Sequence, residues 1–83
     1  MKIAIGSDER THLTDAVMAD LQARGHTLHC FGPLAGQAEY WPAVARHVAE
    51  AVAAGTADEG ILFCWTGTGV SLAANKVPGI RAV

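Results

Sequence analysis

The sequence predicts an α/β fold, a parallel sheet of order 2-1-3-4 wrapped by helices and unfinished at its C-terminal end. Three observations carry that prediction. Short apolar runs alternate with helix-length amphipathic stretches, and glycine or proline stands at nearly every junction. One junction, FCWTGTGVSLAANK at residues 63–76, passes from strand to helix through a turn rich in glycine and threonine.

The elements follow in order. Lys2–Gly6 is a short strand, and residues 12–24 form a helix with Leu13, Val17 and Leu21 on one face. Gly25 stops that helix. Thr27–Phe31 is a second strand, broken by Gly32-Pro33. Pro42 suits the first position of a second helix, striped by Val44, Val48 and Val52 and ended by Gly55. Glu59–Cys64 reads as the third strand. The TGTG turn opens a third helix that Val77-Pro78 ends, and Gly79–Val83 reads as a fourth strand. Such β-α-β-α-β-α-β alternation implies parallel strands joined by right-handed crossovers.

Composition narrows the class. A chain of 83 residues is a single domain, 1–83, with only a modest core. Its 51% hydrophobic content against 17% charged residues suggests a surface covered by another subunit or by further chain. A net charge of −2 speaks against nucleic-acid binding. No run has transmembrane length and the first residues lack a signal-peptide pattern, so no membrane association and a cytoplasmic location are expected. Two cysteines without CxxC spacing give neither a disulfide framework nor a zinc site, and the four histidines lack ligand-like spacing. No metal and no cofactor are expected.

Topology places the site. In open parallel sheets, ligands bind beyond the carboxyl ends of the strands where the winding reverses, here between strands 1 and 3. The residues just past those strands are Ser7-Asp8-Glu9-Arg10 and Cys64-Trp65-Thr66-Gly67. Free cysteine is commonly a small buried hydrophobe, as expected of Cys30 in mid-strand. Cys64 differs, because an adjacent helix N-terminus and an amide-rich turn favour the thiolate. Gly67-Thr68-Gly69 lacks the third glycine of a dinucleotide fingerprint and the lysine of a P-loop. It fits an oxyanion or phosphate nest better, with a plain tight turn as the alternative. Asp8 suits either a turn cap or a substrate-hydroxyl contact, and Asn75 and Lys76 suit the C-terminal end of the third helix.

The stretches MKIAIGSD, PAVARHVAEAVAAG and GILFCWTGTGVSLAANKVPGIRAV together resemble the ribose-5-phosphate isomerase type B and galactose-6-phosphate isomerase family, in register over the whole chain. The resemblance implies a Rossmann-like three-layer sandwich and a metal-free aldose–ketose isomerase that works as a homodimer or homotetramer on a phosphorylated sugar. It implies Cys64 as the base that moves a proton between adjacent carbons, and Thr66 as the hydroxyl that assists transfer between the oxygens. It implies the amides from Trp65 through Gly67, Thr68 and Gly69 as the hole for an enediolate, and Asp8 and Asn75 as sugar contacts. Three positions depart from the family pattern. Glu9 stands where a histidine is usual, Trp41 where a tyrosine precedes proline, and Trp65 where glycine often follows the cysteine. All three are expected beside the pocket, where they alter which sugar is recognised. Family chains continue past GIRAV with the ring-opening histidine and phosphate-binding arginines, so the resemblance makes these residues an N-terminal portion. Arg10 and Arg81 are the candidates here for holding phosphate. The competing expectation is a non-catalytic module that holds a phosphosugar or nucleotide at the same turn, or an inactive truncated homologue.

Overall fold

A computed structural model describes all residues, 1–83. The chain runs β1 (Lys2–Gly6), α1 (His12–Ala23), β2 (Thr27–Phe31), a 3₁₀ turn (Gly32–Ala35), α2 (Trp41–Ala53), β3 (Glu59–Leu62) and α3 (Thr68–Asn75). The three strands are parallel in the order β2-β1-β3. The register pairs Ile5 with Cys30 on one side and with Ile61 on the other. The central strand β1 therefore ends between the two flanking ones, as the alternation of elements requires.

Side chains of β1 alternate between two faces. Ala4 joins Val48, Ala51 and Ala57 in the core, with Phe31, Val52 and Leu62 packed around them. Helix α2 lies across β1 and β3 at close range because the strands present almost nothing there. A methyl group on Gly6 would come within 2.5 Å of Val44 and 2.8 Å of Val48, and one on Gly60 within 2.8 Å of Val48. The two glycines thus set how deeply α2 seats. Ile3 and Ile5 face the opposite side, and helix α1 packs on β2.

Four expectations need correction. Gly79–Val83 forms no strand. A turn closes at Val77–Ile80, and the Asn75 side chain takes both backbone groups of Ala82 that a ladder would use. Its Oδ1 accepts from Ala82 N–H at 2.8 Å and its Nδ2 donates to Ala82 O at 3.0 Å. Strand β3 ends at Leu62, two residues before Cys64, because Phe63 N–H makes the last bond across to Gly6 O, at 3.0 Å. Pro42 is the second rather than the first residue of its helix. The first helix buries Thr14 rather than Leu13, which is 62% exposed. Thr14 tolerates burial because its hydroxyl donates to Thr11 O and accepts from Thr11 N–H, both at 2.9 Å. The Thr11 hydroxyl in turn accepts from Thr14 N–H at 3.2 Å, completing a reciprocal cap at the helix start.

Candidate active site

Two chain segments leave the sheet side by side. The exit of β1 gives Ser7, Asp8 and Glu9, and the exit of β3 gives Phe63, Cys64 and Trp65. They are held together by the Phe63–Gly6 bond at the last rung. Between them lies a cleft of about 190 Å³, also lined by Thr11, Leu13 and Thr14 of the α1 entry. Topology placed Asp8 opposite Cys64, and the structure brings them into this one cleft. Its hydroxyls are already engaged. Ser7 Oγ accepts from Glu9 N–H at 3.2 Å, and Thr11 and Thr14 cap each other. None of the four histidines lines it, and neither does any lysine or arginine.

Cys64 sits where the chain turns from β3 into α3. Slight burial alone raises its pKa, but the backbone N–H groups of Gly67, Thr66, Val70 and Trp65 together outweigh that. The thiol lies below its ordinary value. Gly67 makes this possible. At φ 78° it occupies the left-handed region as the N-cap of α3, folding the preceding amides back toward the sulfur. Gly67 has no side chain to cap this helix; the first helical amide, of Thr68, goes to Thr66 Oγ1, and the Val70 amide stays directed at the sulfur. Cys30 is the contrast. Burial raises its pKa, only partly offset by the charge of Arg10.

The remaining residues singled out from the sequence divide. Glu9 and Trp65 line the cleft with Asp8 and Cys64, and Trp65 is 88% exposed. Thr66, Gly67 and Thr68 face an adjoining hollow shared with Ser71 and Leu72 on the helix side of the turn, and Thr66 Oγ1 accepts from Thr68 N–H at 3.3 Å. Gly69 lies against the Trp41 ring, 3.1 Å from where its methyl group would be. Trp41 therefore faces a groove between α2 and α3 and not the Cys64 cleft. Asn75 is engaged with Ala82 at the far end of α3, away from the cleft. Arg10 bonds Asp15 at 2.8 Å and does not line the cleft, and Arg81 lies in the groove beside Ile80. Leu13 and Phe63 are cleft residues that the sequence reading missed. Leu13 carried a usable signal, as the second residue of a helix whose start opens onto the strand ends.

A parallel sheet whose central strand ends beside a glycine- and threonine-rich strand-to-helix turn, with a cleft at its carboxyl edge, defines a Rossmann-like domain. Its sequence relatives identify the family. The chain belongs to the ribose/galactose isomerase family, whose model matches residues 3–83. It is 45% identical over 83 residues to ribose-5-phosphate isomerase B of Escherichia coli, covering 99% of this chain and 56% of that protein. It is 41% identical over 87 residues to D-erythrulose-4-phosphate isomerase 2 of Mycolicibacterium smegmatis, covering 100% and 57%. Among solved structures, ribose-5-phosphate isomerase B of Clostridium thermocellum superposes with a TM-score of 0.82 at 46% identity, covering 98% of this chain and 55% of that one. The chain thus spans about half the length of the curated relatives it matches.

Proposed function

We propose that this chain carries the proton-transfer centre of an aldose–ketose isomerase for a phosphorylated sugar. The observation that carries the reading is the Cys64 thiol, set among four backbone N–H groups in the same cleft as Asp8. The Cys64 thiolate takes the proton from the carbon beside the carbonyl, leaving a neutral thiol and an enediolate. The thiol then returns that proton to the neighbouring carbon, and the carbonyl has moved by one position. Thr66 passes a proton between the two oxygens. Charge develops on oxygen in this reaction, where a preoriented N–H donor is worth about 3–4 kcal/mol of barrier. The turn that activates the sulfur therefore also supplies donors for the intermediate. Asp8 accepts from a sugar hydroxyl and sets the carbon chain across the thiolate. The named relatives act on ribose 5-phosphate, galactose 6-phosphate and D-erythrulose 4-phosphate. A phosphorylated sugar of four to six carbons is accordingly the substrate class.

The test follows the transferred proton. The chain is incubated with ribose 5-phosphate in heavy water, and loss of the proton on the carbon beside the carbonyl is read by NMR. Backbone amide shifts at residues 63–70 are recorded with a hydroxamate mimic of the enediolate. Exchange that disappears in Cys64→Ser while the mimic still shifts those amides is the expected result. Exchange that survives the substitution would place the base elsewhere. Absence of both exchange and amide shifts overturns the reading.

A further inference from the structure

The cleft that holds Cys64 is unusual for a site that receives a phosphorylated compound. Its ionisable groups other than the thiol are two carboxylates, Asp8 and Glu9, and no cation lines it. The nearest arginine in the chain, Arg10, is tied to Asp15 at 2.8 Å. The rest of the lining is three hydroxyl residues already engaged in local hydrogen bonds, Ser7, Thr11 and Thr14, and an apolar wall. Leu13 is 62% and Trp65 88% exposed, and Phe63 completes the wall. Carboxylate acceptors facing an aromatic and aliphatic wall suit a carbon chain that presents hydroxyl donors on one side and C–H groups on the other. They do not suit a dianion.

From this we infer that Glu9 is a specificity-determining residue that reserves the α1 side of the cleft for the uncharged polyol part of the sugar and keeps the phosphate out. The inference rests on the reading of the site given above. The carbonyl end lies at Cys64 and the amide turn, the hydroxyl-bearing carbons run along Asp8 and Glu9 against Trp65 and Leu13, and the phosphate projects beyond. A compound that enters in the opposite sense puts its phosphate against two carboxylates and is rejected by repulsion. Glu9 suits this task because its side chain is exposed and has no structural engagement, whereas its backbone N–H is the group bonded to Ser7. Its charge can be removed without unfolding the turn.

The experiment compares the wild-type chain with Glu9→Gln, Glu9→Lys and Glu59→Gln. The last removes an equal charge at the opposite end of the sheet. Affinities for ribose 5-phosphate and for unphosphorylated ribose are measured from the amide shifts of residues 63–70, at low and at physiological ionic strength. Glu9→Gln is expected to tighten ribose 5-phosphate about fivefold at low salt, the Coulomb effect of one carboxylate on a dianion roughly 8 Å away through water. The gain shrinks as salt screens it. Glu9→Lys goes further in the same direction. Ribose itself binds no better to either variant, and Glu59→Gln matches wild type. The inference is overturned if Glu9→Gln changes ribose 5-phosphate no more than Glu59→Gln does, or weakens both sugars alike, while the isomerase reading stands in either case. If no sugar shifts these amides in any variant, the isomerase reading fails and this inference with it.

Discussion

Replacing Gly6 with alanine tests how the sheet holds its site in place. The added methyl group would stand 2.5 Å from Val44 Cγ1, 2.8 Å from Val48 Cγ2 and 3.5 Å from Leu62 Cδ2. Comfortable carbon contacts lie at about 3.5–4.0 Å, so two of the three are short by roughly 1 Å. Neither valine can turn aside. Both are β-branched residues held to one rotamer in a helix, and both are buried, at 1% and 2% exposure. Relief must come from α2 lifting off the strands. Overpacking of this kind costs about 1–3 kcal/mol, and two simultaneous clashes place Gly6→Ala near the upper end. Against a total of roughly 4–12 kcal/mol for a domain of 83 residues, that is a large fraction. The assay is urea unfolding followed by circular dichroism, with Val44→Ala and the double variant completing a cycle. Removing the Val44 methyls should recover at least about 1 kcal/mol relative to additivity, because the new methyl fills the space they leave. A Gly6→Ala chain within about 0.5 kcal/mol of wild type, or an additive cycle, would refute the close seating of α2 on β1.

Alkylation by iodoacetamide across pH should separate the two cysteines. The Cys64 thiol, held low by amides, reacts at lower pH than an unfolded thiol, and the Cys30 thiol, held high by burial, reacts at higher pH. Peptide mass spectrometry reads each site, and coincident profiles would remove the amide nest. Gly69→Ala should displace the Trp41 ring, visible as a changed tryptophan emission, because the methyl lands 3.1 Å from two ring carbons. Asn75→Ala should release the C-terminal segment, with faster hydrogen exchange at the Ala82 amide and little change in the Cys64 profile. Sedimentation over a wide concentration range should reveal self-association, since Leu13, Tyr40, Trp65 and Leu72 are all more than half exposed. A concentration-independent species of single-chain mass is the opposing result.

The juxtaposition of Asp8 with Cys64 is legible in the sequence because strand order follows from alternation and crossover handedness, which depend on few residues. What escapes is settled by choices between equivalent partners. An asparagine amide at a helix end can bond a ligand or a backbone, and only the path of residues 77–82 decides that Asn75 does the latter. The Leu13-Val17-Leu21 spacing marks a helical face, but the buried position belongs to Thr14, whose hydroxyl Thr11 satisfies. Trp41 stands beside the turn in sequence logic, yet the side-chain-free surface of Gly69 draws its ring to the other side of α3. The fourth strand fails for a similar reason, since its backbone groups find a side chain before they find a neighbouring strand.

The bond from Phe63 to Gly6 has a consequence for how such a domain diversifies. It is the final rung of the ladder, and the cleft opens just beyond it, between residues 7–9 on one strand exit and 63–65 on the other. Spacing across the cleft is inherited from the interval between adjacent strands, so it does not depend on the loops that decorate it. Glu9 and Trp65 are exposed and bear none of the core's packing. Substitutions there change the cleft wall while the frame that holds Asp8 beside Cys64 stays fixed. Changes below the rung, at Gly6, Val44 or Val48, act on stability first. On the proposed isomerase reading, selection for a new sugar therefore has a small, nearly independent set of positions to work with.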